Sequence, residues 1–318
     1  MIIGIFLFLT YSFSRWIKYR RGQLSRSLRA GVVMQIFLRI KKLIRRGKLQ
    51  KLKGPIPYQG IIGSTNPEKI IVLQSGVHGP EDFAIEVLLN VVTRLDQNFL
   101  KKSRVQIHVI PIVNYFGFQK HERTNQNGVD LVRNSPYQSR HKRIIPFVSG
   151  WRTSLVRPIT WLVSKTWYFM GHRIEKETEF LIQKFDELIH SGKEIVFFDF
   201  HTGNTSPKTT IWRHELDQRM GVPLHLERVL KDNNIVFEPI DYGTHGGLYE
   251  YLADTHQKHD LNAFTVELGV LEDRSYAFAY FFDSVFLPPR GKRKEFLEKE
   301  TEKVFRILKQ EINHRDAH

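Results

Sequence analysis

Two periods govern the apolar positions of this chain. Short, nearly continuous apolar runs occur at Lys69–Leu73 (KIIVL), Val105–Val113 (VQIHVIPIV), Glu194–Phe200 (EIVFFDF) and Asn262–Leu268 (NAFTVEL). Runs of this length, rich in β-branched and aromatic residues, read as buried strands. Between them the period lengthens to that of a helix. From Glu81 to Leu95, the residues Phe83, Val87, Leu88 and Val91 share one face, and Glu175–His190 and Lys294–Ile312 follow the same pattern. Strands alternating with helices predict an α/β three-layer sandwich around a mixed, mostly parallel central sheet. The stretch from Tyr137 to Ser191 is rich in basic and aromatic residues, with a further helical pattern near Pro158–Met170, and reads as an insertion in that domain.

The first 54 residues are patterned differently, dividing the chain into an N-terminal segment, 1–54, and a domain, 55–318. The segment opens with an apolar run, Ile2–Phe13 (IIGIFLFLTYSF), followed by a basic stretch in which Val33, Ile36, Ile40 and Leu43 fall at helical spacing. A helix from Ile2 to Ile17 would be about 24 Å long at roughly 1.5 Å per residue, short of the roughly 30 Å hydrocarbon core. A basic amphipathic helix behind an apolar stretch suits an anionic membrane surface, with the body on the cytoplasmic side. A helix pair packed on the domain and a transit peptide are the alternatives.

Charge sharpens this division. The net charge is +15, yet fourteen basic residues lie between Met1 and Lys53 and the first acidic residue is Glu68, so residues 54–318 carry only +1. A nucleic-acid enzyme concentrates its basic surface on the working domain, so no nucleic-acid partner is expected. The absence of cysteine excludes a disulfide scaffold, a thiolate-ligated metal and a cysteine nucleophile.

The chemistry concentrates where strands end. The first buried run passes through Gln74-Ser75-Gly76 into His78-Gly79-Pro80-Glu81, with the proline near the first position of a helix. Spaced three apart across a helix start, His78 and Glu81 can converge on one cation, and nitrogen–oxygen ligation of this kind is what zinc accepts in hydrolases. A second His-x-x-Glu, His172–Glu175, has no strand before it and reads as a solvated helix face. Asp199-Phe200-His201-Thr202-Gly203 again ends a strand in histidine, which places His201 at the same sheet edge as a third ligand. A hydrogen-bonded histidine is the plainer reading of a single strand-end His. Glu267 is an acid embedded in an apolar strand; it suits a general base, or an ion pair with an arginine from a neighbouring strand.

Taken in order, His78-x-x-Glu81, Asn114-x-x-Gly117-Phe118, Arg123, Asp130-x-x-Arg133-Asn134, His201, Tyr242-x-x-x-Gly246-Gly247 and Glu267 resemble the zinc carboxypeptidases. The match is nearest the bacterial branch that includes succinylglutamate desuccinylase and aspartoacylase-like proteins. The resemblance implies a carboxypeptidase-like fold and one Zn2+ held by His78, Glu81 and His201. It implies hydrolysis of an amide bond next to a free carboxylate by zinc-activated water, with Glu267 as general base and Arg123 polarising the scissile carbonyl. Arg133 with Asn134 would take the substrate carboxylate, and Tyr242 would lie over the bound substrate, a peptide or an N-acyl amino acid. A non-catalytic membrane-attached binding module is the rival from another class. Val132 and Tyr115 stand where that family usually carries Asn and Pro.

Overall fold

A computed structural model describes residues 30–136, 171, 173–202, 208–213, 222–239, 247–256, 261–269 and 291–314. The chain divides into two compact units, residues 1–42 and 43–318. Of the first unit, residues 30–42 are described. They belong to helix α1 (residues 30–45), whose Ile36 and Ile40 are buried while Met34 and Leu38 are exposed. The apolar run Ile2–Phe13 lies outside the described residues. Among those described, no helix is long and apolar enough to cross a membrane.

The second unit follows the order β1 (Gln50–Lys51), β2 (Tyr58–Gly63), β3 (Lys69–Ser75), α2 (Asp82–Arg94), α3 (Gln97–Lys102), β4 (Val105–Ile110) and α4 (Tyr115–Lys120). It continues through a 3-10 turn (Leu131–Arg133), α5 (Lys176–Ile189), β5 (Glu194–Thr202), β6 (Thr210–Arg213), α6 (Leu224–Asp232), β7 (Val236–Pro239), α7 (Leu248–Thr255), β8 (Leu261–Leu268) and α8 (Arg293–Asn313). The strands form one eight-stranded sheet in the order β1-β2-β4-β3-β5-β8-β6-β7. The central β4-β3-β5-β8 block is parallel throughout, and antiparallel pairings join β2 to β4 and β6 to β8. The mixed, mostly parallel sheet expected from the sequence is present, and the four apolar runs are its centre.

Burial explains why those four strands are so apolar. Every residue of β3 is buried, as are eight of the nine residues of β5, because a parallel sheet covered on both sides offers no solvent face. Leu181, Phe185, Leu188 and Ile189 of α5 join one core with Ile70, Val72, Ile195 and Phe197, and the Phe185 ring meets Phe197 edge-on at 4.8 Å. Helix α5, which falls in the stretch read as an insertion, therefore packs into the core of the sandwich. The Pro158–Met170 pattern and His172 lie outside the described residues.

Lys48 belongs to the second unit and fixes the far end of α2. Its ammonium donates to the carbonyls of Val92 (3.0 Å), Thr93 (3.3 Å) and Leu95 (2.7 Å), the last-turn carbonyls that lack helical partners. Burial, then the nearby Arg46, lowers its pKa below the ordinary lysine value.

Candidate functional site

The turn after β3 sets the first two site residues. Gly76 has φ +67, and a Cβ there would lie 3.1 Å from both Ile112 Cα and Ile85 Cδ1, so glycine is the residue this turn admits at low cost. Gly79 is tighter still. A Cβ on it would sit 2.0 Å from the Gly117 carbonyl and 2.4 Å from Glu122 O. This backbone contact presses the loop that carries Arg123 against the turn that carries His78. Asn114 braces the loop from inside, accepting from Gly117 N (2.8 Å) and donating to Arg123 O (3.2 Å). The Asn-x-x-Gly pattern thus shapes the loop rather than the reacting centre.

His78, Glu81 and His201 meet as their positions at strand ends imply. All three are buried, and one ligand atom from each lies within 4.8 Å of the others. His78 Nδ1 is 2.7 Å from Glu81 Oε1, His201 Nδ1 is 3.0 Å from Glu81 Oε2, and the two rings are 5.3 Å apart. Both Nδ1 atoms and the Glu81 carboxylate therefore converge on one point.

Behind each imidazole lies a fully buried carboxylate. His78 Nε2 is 3.1 Å from Asp130 Oδ1, whose other oxygen accepts from Arg123 Nε at 3.1 Å and lies 3.5 Å from Arg133 Nε. His201 Nε2 meets Asp199 Oδ2, which also accepts from the Tyr249 hydroxyl. Carboxylates on the outer nitrogens fix each ring so that Nδ1 faces inward with its lone pair.

The electrostatics agree with a cation site. Burial alone would push the Glu81 pKa up, but His78 and His201 hold it down at about 2. Burial opposes charge on His201, yet Asp199 and Glu81 raise its pKa well above the ordinary histidine value. The field at that ring favours positive charge, which a divalent ion between the Nδ1 atoms supplies as well as a proton does. The donor set of two imidazole nitrogens and one carboxylate is what a catalytic zinc site uses, with a position left for water or substrate.

Glu267 lies beside this group. Its Oε2 is buried and has no hydrogen-bond partner among the described residues. Burial, and secondarily the charge of Glu81, push its pKa up to about 7, with His201, His78 and Arg123 pulling the other way. The ion pair considered from sequence does not form among the described residues.

Arg133 approaches Asp130 as above. Asn134 does not join it. Its amide donates to Arg173 O (2.8 Å) and accepts from Glu175 N (2.7 Å), and the residue is fully buried. In this arrangement its polar atoms hold the 173–175 backbone. Glu175, from the second His-x-x-Glu, accepts from Asn125 and Asn127 at 3.0 and 2.6 Å and is a buried brace, not a solvated face. Tyr242 lies outside the described residues.

Sequence reasoning overlooked Asp199, Gln74 and Tyr249. A signal existed for the first, because Asp199 is an acid inside an apolar strand two residues before His201, hence on the same face.

Residues 60–149 match a protein family described as "Protein of unknown function (DUF2817)". No functionally curated protein matches the sequence. Among solved structures, the chain is similar to carboxypeptidase A from Helicoverpa armigera, with TM-score 0.58, 14% identity and coverage of 87% of this chain and 71% of that one. Bovine thrombin-activatable fibrinolysis inhibitor gives TM-score 0.55 at 15% identity, over 88% and 95% of the two chains. Murein-tripeptide amidase MpaA from Escherichia coli O157 gives 0.50 at 19% identity, over 81% and 87%. The eight-stranded mixed sheet with flanking helices is the zinc carboxypeptidase-like fold.

Proposed function

We propose that this chain is a metal-dependent amidohydrolase of the metallocarboxypeptidase type, cleaving an amide bond next to a free carboxylate. The observation that carries the reading is the convergence of His78 Nδ1, Glu81 and His201 Nδ1 beside a Glu267 carboxylate oxygen that has no hydrogen-bond partner among the described residues. His78, Glu81 and His201 would hold one Zn2+. When bound, zinc polarises a carbonyl and makes water a nucleophile near neutral pH.

The other steps belong to the chain. With a pKa of about 7, Glu267 is matched to taking a proton from the attacking water and returning it to the leaving amine nitrogen. Arg123, anchored through Nε on Asp130, presents a planar donor edge that steadies charge developing on the carbonyl oxygen. Arg133 would pair with the substrate carboxylate, and Tyr242 would cover the substrate. The substrate is a peptide C-terminus or, in the alternative kept from the sequence, an N-acyl amino acid. Similarity to a murein-tripeptide amidase supports including short murein peptides. An anionic membrane surface, met through the basic residues 1–53, is the proposed partner of the N-terminal segment.

The test is metal analysis of purified protein together with turnover on an amide panel that includes free and blocked C-termini. Near-stoichiometric zinc and hydrolysis are expected, both lost in His78→Ala and His201→Ala. Unchanged zinc content in both variants rejects the ligand assignment, and metal without turnover on any amide favours the binding-module reading.

A further inference from the structure

The Asp199 carboxylate is held from three elements at once. From its own strand, β5, His201 Nε2 meets Oδ2. From α7, the Tyr249 hydroxyl donates to the same oxygen. From β3, Gln74 Nε2 lies 3.3 Å from Oδ1 and 2.7 Å from the Tyr249 hydroxyl oxygen. Gln74, Asp199 and Tyr249 are 0%, 0% and 1% exposed, so these contacts are buried. Donor directions follow from valence. Tyr249 has one hydroxyl proton, which goes to the carboxylate, so its lone pair must receive Gln74 Nε2.

This arrangement costs a buried charge, a buried phenol and a buried amide, and the Gln74 amide oxygen has no partner among the described residues. Packing alone would be served as well by apolar residues of similar volume. Of the three groups only the carboxylate reaches the outer nitrogen of His201, the candidate ligand contributed by β5, and the phenol and the amide hold that carboxylate. His78 has its own carboxylate, Asp130, which also serves two arginines. Asp199 serves no arginine among the described residues, so its task is specific to His201.

We infer that Tyr249 and Gln74 are positioning residues that act through Asp199 to orient His201 and thereby set how tightly the site holds its metal. The inference rests on the proposed metal-site reading. Neither residue touches the site's centre. Tyr249 fixes the carboxylate oxygen that meets His201, and Gln74 locks both the phenol and the second carboxylate oxygen. Loss of either leaves the ring free to rotate away from Glu81. Partners of this kind change metal affinity by roughly 10–100-fold when removed.

The test uses the full chain, with Zn2+ as the probe and a chelating dye as competitor. Tyr249→Phe keeps the ring and deletes the hydroxyl; it should weaken zinc binding about tenfold and leave the melting temperature of the metal-free protein nearly unchanged. Asp199→Asn should weaken binding at least as much. The double variant should fall short of the product of the two single effects, because both act on one oxygen. Gln74→Met gives an independent reading through the second carboxylate oxygen if Tyr249→Phe folds poorly. Wild-type zinc affinity in Tyr249→Phe and Gln74→Met overturns the inference while leaving the metal site intact. Strictly multiplicative effects also overturn it, since Tyr249 would then not act through Asp199. Absence of zinc binding by the unmodified chain removes the metal-site reading itself.

Discussion

His201 and Glu267 are direct Cα partners in the parallel pairing of β5 with β8. Residues paired this way share the phase of the pleat, so both project from the same face, near the carboxyl ends of adjacent strands. A one-residue slip of β8 would turn Glu267 to the opposite face and bring a neighbour into its place. The spacing between a candidate ligand and a candidate base is thus fixed by sheet register and the buried cores on either side, not by a loop.

Glu267→Gln should keep zinc content and fold but lower kcat on the order of 10²–10⁴-fold, because the amide cannot accept the proton. The pH profile gives a second readout. The base must be ionised, so the wild-type rate should fall as pH drops through an acid limb at or below about 7, a bound cation moving the limb downward. The residual rate of Glu267→Gln should lack that limb. Wild-type turnover in the variant would make Glu267 structural.

Arg133 and Asn134 are neighbours with different partners, Asp130 for the first and the 173–175 backbone for the second. Arg133→Ala should raise KM for substrates with a free carboxylate and leave blocked ones little changed. Asn134→Ala should act on stability, because it strips partners from Arg173 O and Glu175 N, at a cost of roughly 1–3 kcal/mol per buried group left unsatisfied. Denaturant titration beside a substrate panel separates the two. A selective loss of free-carboxylate substrates in Asn134→Ala would place it in the substrate pocket.

What the sequence disclosed follows from burial. Strands β3, β4, β5 and β8 were legible because a doubly covered parallel sheet demands nearly unbroken apolar runs. Strands β1, β2, β6 and β7 were not. They are two to six residues long, they lie toward the sheet's edges, and β2 reads YQGIIG, so neither length nor alternation marks them. The same contrast holds in the site. His78, Glu81 and His201 stand at the ends of legible strands, whereas Asp130 reaches His78 across 52 positions and Tyr249 reaches Gln74 across 175, which local patterning does not encode. Adjacency in sequence does not give Arg133 and Asn134 the same partners, because successive residues at the end of a 3-10 turn point apart.

His108 supplies a pH-dependent contribution to stability away from the site. It lies on β4, opposite Ile61 of β2 and Val72 of β3, with Nε2 2.8 Å from Gln106 Oε1. Burial, then the charge of Lys184, lower its pKa from 6.5 to about 4. Between those values the unfolded chain binds a proton that the folded one does not. Stability therefore rises with pH across this window, is complete above about 6.5, and is lost as pH falls toward 4. The contribution is about 3 kcal/mol at 1.36 kcal/mol per pKa unit. Urea unfolding between pH 4.5 and 7 should show a steeper rise for wild type than for His108→Gln. Parallel curves would show that His108 titrates alike in both states.

The exposed face of α1 supports a prediction about the N-terminal segment. Met34 and Leu38 are 58% and 49% exposed, while Ile36 and Ile40 are buried, so one face of α1 carries exposed apolar side chains. Lys41, Lys42 and Arg45 are exposed on the same face of the helix, one and two turns further on. A lysine or arginine at an anionic lipid surface contributes about 1 kcal/mol, and high salt screens that attraction. The full-length chain should therefore co-sediment with vesicles containing phosphatidylserine, bind neutral phosphatidylcholine vesicles far less, and be largely released at high salt. The double substitution Met34→Glu and Leu38→Glu should remove most of the binding that survives salt, because it deletes the apolar part of the contact and adds repulsion. Zinc content should stay the same, since neither residue lies near His78, Glu81 or His201 in the sequence. Equal sedimentation with neutral and anionic vesicles would reject the electrostatic component. Undiminished binding by the double variant would show that this face is not the part of the chain that meets the bilayer.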